Sequence, residues 1–239
     1  MADIFPIPDS LVYLHGILKL AVAVTGIILL VLTIRKHIKK SSQVSSILII
    51  VFLAMILGLT FASFDDLFGW ENLLGSQTWV GFGLSTIFNS LANSSYLALY
   101  IAIFMAQDKW KSKHIIFLVS FGLVDLTAAV LSMGYYAFGW IFYPSIIPSA
   151  IHMIFAAVLY TFWLVQCTRI IKTLTEEDYI RRFRSFQISS ILILLSVIAF
   201  AITGFSETRS YITWVGLGFL SLGLLFSYLG FLKTKEQSK

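Results

Sequence analysis

The sequence predicts an all-α polytopic membrane protein with seven transmembrane helices, and three observations carry that expectation. Apolar residues make up 58% of the 239 and charged residues only 12%, whereas soluble domains carry roughly a quarter charged residues. The apolar residues gather into seven runs, each close to the ~20 residues needed to cross a hydrocarbon core of about 30 Å. Of the 17 Lys and Arg, all but Lys19 and Arg209 fall in segments that strict alternation of spans places on one side. Short loops that stay in the cytoplasm keep their positive charge during insertion, so that side is expected to be cytoplasmic, with the N-terminus extracellular and the C-terminus cytoplasmic.

The runs lie near Leu11 to Ile34, Val44 to Ala62, Trp79 to Ala106, Ile115 to Tyr136, Ile146 to Cys167, Phe186 to Gly204 and Tyr211 to Leu232. The opening MADIFPIPDS carries acids and prolines where a secretory signal carries Lys or Arg, so the first run is expected to remain as a helix. Asp3, Asp9, Asp65, Asp66, Glu71 and Glu207 fall in outer segments, and Trp70, Trp79, Trp140 and Trp214 mark the outer headgroup level. Prolines occur only at positions 6, 8, 144 and 148, which predicts continuous rods rather than broken helices. The basic residues form no continuous stripe, so a nucleic acid is excluded as partner and the lipid bilayer is the expected one. Cys167 is the single cysteine, which excludes an internal disulfide. Its place at the inner end of a span allows palmitoylation, but burial as a small apolar residue is the favoured reading.

The chain also matches itself. Gln43-Val-Ser-Ser-Ile-Leu-Ile opens the second run and Gln187-Ile-Ser-Ser-Ile-Leu-Ile the sixth; Thr78-Trp-Val-Gly-Phe-Gly opens the third and Thr213-Trp-Val-Gly-Leu-Gly the seventh. The expected organisation is one seven-helix domain over 1–239, with a first repeat at 11–106, a linker helix at 115–136 and a second repeat, in the same direction, at 146–232. Extending the offset backward pairs His15 with His152.

This three-plus-one-plus-three plan resembles the broad group of sugar-type seven-helix transporters, microbial opsins and heptahelical receptors, across all seven spans but only as architecture. Within it the chain departs from each family. The seventh run has no lysine for a retinal Schiff base; Gln107-Asp108-Lys109 stands where receptors carry Asp-Arg-Tyr, and an NPxxY pattern is absent. Sugar-type transporters carry prolines in the repeated helices, and the first run here has none.

Ionisable groups inside spans cost about 2.5–3.5 kcal/mol each at the bilayer centre, so they are candidates for function. Four qualify: His15, Lys19, Asp125 and His152. Lys19 and Asp125 fall at compatible depths for a salt bridge, which serves either as a lock between helices or as a ligand or proton counter-ion site. Ser85, Asn89, Asn93 and Tyr96 recur at spacings of four and three and share one helix face, suited to interhelical hydrogen bonds or to lining a solute cavity. His15 and His152, if they meet at a pseudo-axis, suit a metal, a haem iron or a shared proton; two histidines satisfied by separate hydrogen bonds are the favoured reading, so neither a metal nor a cofactor is expected. The segment Arg169 to Arg184, with Arg181, Arg182 and Arg184, continues the fifth helix or forms a solvated loop, and is a candidate docking surface for a cytoplasmic signalling protein.

No zinc-hydrolase spacing, nucleophile elbow or phosphate-binding glycine loop occurs, so an enzyme is not expected. The favoured expectation is a sensor or receptor-like bundle that binds a small ligand, ion or lipid in a polar core. A small-solute or proton-coupled transporter is the alternative, and a structural or assembly protein the third reading.

Overall fold

The computed structural model describes residues 11–69, 72–73, 79–104, 112–138, 146–204 and 211–232. They form seven helices: α1 (Val12–Lys39), α2 (Gln43–Phe68), α3 (Trp79–Phe104), α4 (Ser112–Phe138), α5 (Ile146–Ile171), α6 (Glu177–Gly204) and α7 (Tyr211–Leu232). Among the described residues there is no strand. Six helices are long and apolar enough to cross a membrane; the seventh, α4, holds a shorter apolar stretch, Ile115–Leu131, inside a 27-residue rod. Each helix packs against its neighbours in the chain, α7 returns to α1 to close a ring, and α3 also touches α5 across the interior.

Apolar side chains cover the outside of the bundle as well as filling its core, and this supports the membrane reading. Ile17, Val24, Ile28, Val124, Ile198 and Val215 are each more than half exposed on the outer surface, whereas Ser63, Ser90, Asp125 and Ser196 are essentially inaccessible. In water such an apolar surface is an aggregation liability, while in lipid it is the ordinary outside of a bundle. The helices then associate through close packing and interhelical hydrogen bonds. Of the six long spans the most enclosed is α3, half buried, and the least is α1.

Several helices run past the expected apolar stretches, and two of these extensions matter. The second helix runs six residues past Ala62 to Phe68, so Asp65 and Asp66 lie on its last turn rather than in an outer loop. It ends at Gly69, whose φ of 67° suits glycine and whose N–H donates to the Asp65 carbonyl at 2.9 Å. The segment after Ile171 does not continue α5: Glu177 starts α6 nine residues before Phe186. Glu177 and Asp178 sit in its first turn, where carboxylates complement the positive end of the helix dipole, and Glu177 accepts from Arg181 one turn on at 3.3 Å. Gln187 consequently lies well inside α6, donating to Thr168 of α5 at 3.0 Å, while its sequence match Gln43 is the first residue of α2.

The α1–α2 turn is pinned by a reciprocal cap in which the Ser42 and Ser45 side chains accept from each other's backbone N–H. His37 Nδ1 adds a 2.7 Å contact to Ser45 Oγ. Glycines set the closest approaches: a Cβ on Gly58 of α2 would fall 2.4 Å from Asn89 Oδ1 of α3, while one on Gly218 meets nothing within 4 Å. Gly58→Leu is therefore expected to force α2 from α3 and lower the thermal midpoint in detergent by several degrees or abolish folded yield. Gly218→Leu serves as the lipid-facing control and should shift it by no more than a degree or so; equal effects would show that α2 and α3 do not meet this closely.

Candidate functional site

Two polar clusters lie inside the bundle, each built around a carboxylate. The first stands at the end where α1 begins. Asp66 is 5% exposed and receives the Lys19 ammonium at 2.6 Å; Lys19 also donates to the Ala62 carbonyl at 3.4 Å. His15 Nε2 stands 3.8 Å from the same carboxylate. An indole N–H can only donate, so the 2.9 Å contact from Trp214 Nε1 makes His15 Nδ1 an acceptor and leaves Nε2 to carry the proton toward Asp66. Trp214 thus links α7 to α1 through His15 as well as standing near the interface.

The second cluster is deeper. Asp125, at the middle of α4 and 1% exposed, faces His152 of α5, with Nδ1 3.1 Å from Oδ1 and 3.3 Å from Oδ2. Ser90 Oγ approaches Nδ1 at 3.3 Å, and Asn93 Nδ2 lies 3.3 Å from Nε2. A carboxylate on Nδ1 fixes that nitrogen as the proton carrier, which leaves Nε2 as the working atom. The Asn93 amide can donate to Nε2 or, turned over, accept from it, so it matches either protonation state of the ring.

His152 is the hinge between this buried pair and an internal cavity of about 300 Å³. Asn89, Asn93, Tyr96, Thr86 and Ser196 supply its polar wall with His152, and Met55, Leu59, Phe200 and Leu220 its apolar wall. Ligand sites start near this size and combine mainly apolar lining with a few placed polar groups. Tyr96 extends the network past the cavity: its hydroxyl lies 3.2 Å from Ser227 Oγ of α7, which lies 2.6 Å from Ser189 Oγ of α6. Ser189 in turn donates to the Gly223 carbonyl at 2.8 Å. A void of only about 10 Å³ borders Tyr96, Ser189, Ser227 and Phe186.

Of the residues singled out from sequence, Asn89, Asn93, Tyr96 and His152 are brought together, with Asp125 directly behind His152. Ser85 shares their face but donates to the Gly58 carbonyl at 3.2 Å, joining α3 to α2. Three sequence readings are decided by the geometry, two of them as corrections. Lys19 and Asp125 do not pair, because α1 and α4 are not ring neighbours and the flexible lysine stem lets its ammonium reach Asp66 near the helix end. His15 and His152 do not meet, in line with the favoured reading of two histidines with separate partners: Trp214 and Asp66 stand at His15, and Asp125 at His152. Helix four does not hold the sole buried acid, because Asp66 is a second. Among the described residues no group of three or more His, Cys, Asp or Glu converges in a way that could hold a metal ion. Cys167 is fully buried in the aromatic core, out of reach of an acylating enzyme. Trp70, Trp140, Arg209 and the segment at 105–111 lie outside the described residues.

Sequence reasoning missed Asp66, Trp214, Ser90, Ser189, Ser196 and Ser227. Asp66 carried a signal, since in a helix extended past Ala62 it falls one turn after that residue, within a lysine's reach of α1; single serines in apolar helices carry none. Comparison with protein-family models, curated proteins and solved structures returns no match.

Removing one partner of a buried ion pair strands the other, while replacing both restores an apolar contact. Lys19→Met is expected to cost about 3 kcal/mol, the low end of the usual range because the lysine side chain is 18% exposed. Adding Asp66→Leu to it should recover most of that loss. Unfolding titrations in detergent that show the two losses simply summing would contradict the pairing.

Proposed function

We propose that this protein is a seven-helix membrane sensor that binds a small amphipathic, hydrogen-bonding ligand in the cavity beside His152 and transmits occupancy to the basic end of the bundle. The supporting observation is the line Tyr96–Ser227–Ser189: Tyr96 lines the cavity, and its hydroxyl contacts reach α7 and then α6, which carries Arg181, Arg182 and Arg184 in its first turns. A ligand that displaces Tyr96 or takes its hydroxyl perturbs the bond that joins α6 to α7, and helix displacement at such interfaces is a known output of switching proteins. The void beyond Tyr96 holds about one water molecule, too little for a solute to pass in this conformation. That favours a signal over a permeation path. In this reading the basic end faces the cytoplasm, on the strength of charge asymmetry, and exposed Arg181 and Arg184 are presented to a cytoplasmic partner.

The roles follow the geometry. Asp125 orients His152, whose Nε2 and the Asn89 and Asn93 amides hold the ligand's polar group, while the Met55, Leu59 and Phe200 wall receives its apolar part. Lys19, Asp66, His15 and Trp214 hold α1 between α2 and α7 and take no part in recognition.

A thermal-shift screen of small amphipathic amines, alcohols and acids on the protein in lipid nanodiscs tests this. At least one class should stabilise the wild type, with affinity falling about 10- to 100-fold on His152→Ala or Asn93→Ala, the loss of one or two buried hydrogen bonds. Lys19→Met should leave it within about threefold. Stabilising compounds indifferent to both cavity substitutions would refute the site.

A proton-coupled transporter is the second reading, favoured by one observation: two carboxylate–histidine clusters occupy opposite sides of the ring. Counterflow uptake in proteoliposomes abolished by Asp125→Asn would establish it and displace the sensor.

A further inference from the structure

A second and larger cavity, about 380 Å³, opens at the basic end between α1, α2, α6 and α7. It is separate from the site beside His152, and its described lining is one-signed: Lys36, Lys40 and Arg182 contribute three cations, and no acid appears among the described lining residues. Glu177 of the nearby acidic turn is occupied by Arg181 outside the cavity. The first turn of α2 also lines it, through Ser42, Val44 and Ser45, adding the positive end of a 26-residue helix.

Two of the cations are held in place. The Lys36 ammonium donates to the Phe231 carbonyl at the end of α7, and the Arg182 guanidinium lies 5.2 Å over the Tyr179 ring. Arg182 Nε is buried and has no hydrogen-bond partner among the described residues. Lys40, Ser42 and Tyr179 stand exposed at the mouth, whereas Thr33, Leu48, Phe183, Phe186 and Tyr228 form a buried, largely apolar floor. Like charges gathered around a cavity repel one another, and a bound anion is what relieves that repulsion. A surface designed only to orient the chain would scatter them in water.

We infer that this cavity binds a phosphate group, with Lys36, Lys40 and Arg182 as its ligands and the α2 N-terminus as a backbone contribution. Arg182 suits bidentate recognition of phosphate oxygens and the lysines act as point charges. The apolar floor accommodates hydrocarbon attached to that phosphate, so the group arrives either on a lipid or as a free phosphate species.

The test compares two variants that remove equal charge. Lys36→Gln/Arg182→Gln strips the cavity, and Arg181→Gln/Arg184→Gln strips exposed arginines that do not line it. Native mass spectrometry of each after reconstitution in phosphatidylcholine with phosphatidic acid reads retained lipid, and thermal midpoints in lipid-free detergent with and without inorganic phosphate read the free anion. The cavity variant should lose retention or stabilisation at least tenfold and the surface variant no more than about twofold. Retention of phosphatidic acid without a response to inorganic phosphate assigns the site to lipid; the reverse assigns it to a soluble phosphate. Because Lys36 also caps α7, Arg182→Gln alone is measured in parallel and should show most of the loss. Equal losses in the two double variants would show diffuse attraction to basic residues, and no retention or stabilisation in the wild type would equally overturn the proposal.

Discussion

A carboxylate inside hydrocarbon must have a partner, and the arrangement of this bundle follows from that requirement. Asp125 and Asp66 are both buried, and in an apolar medium an unpaired charge is far more costly than any single packing contact. Asp125 is answered by His152 and Asp66 by Lys19, with His15 near by. These pairs bind α4 to α5 and α1 to α2, so they specify neighbours in the ring as much as they stabilise it. Trp214 on His15 and Lys36 on the Phe231 carbonyl then close the ring between α1 and α7, one contact toward each end.

The same requirement shapes the cavity. His152 is committed to Asp125 through Nδ1, so its other nitrogen turns inward to the amide of Asn93, and α3 carries the most polar face at the centre of the molecule. The pocket sets one imidazole nitrogen, two amides and a tyrosine hydroxyl against methionine, leucine and phenylalanine, the lining that the proposed ligand with one polar and one apolar end requires. The hydroxyl contacts beyond Tyr96 run from that pocket to the α6–α7 pairing, and the phosphate site proposed at the opposite end touches the same two helices.

The fold class was legible because apolar length and charge asymmetry act over whole helices. The polar face of α3 was legible too, since Asn89, Asn93 and Tyr96 obey helical spacing and side chains one turn apart share a face. The pairing of the charges was not. Depth alone made Lys19 and Asp125 compatible, but which helices are neighbours depends on packing around the ring, and a lysine stem reaches several ångströms along the helix from its own Cα. Helix ends were misplaced at Asp66 and Glu177 because a carboxylate reads as a loop residue until its partner or the helix dipole is known. The serine contacts of α6 and α7 depend on the relative rotation of two helices, which no local pattern records.

The central claim is that the space between Asn89, Asn93 and His152 is an open cavity and not a packed core. Cysteine accessibility measures this most directly, with Cys167→Ala removing the single native thiol. Asn89→Cys, on the cavity wall, should react with a small membrane-permeant thiol reagent much faster than Ser63→Cys, which is fully buried on α2 and lines neither cavity. Prior incubation with a compound that stabilises the wild type should slow it. Equal rates at the two positions, or no reaction at Asn89→Cys, would contradict the account.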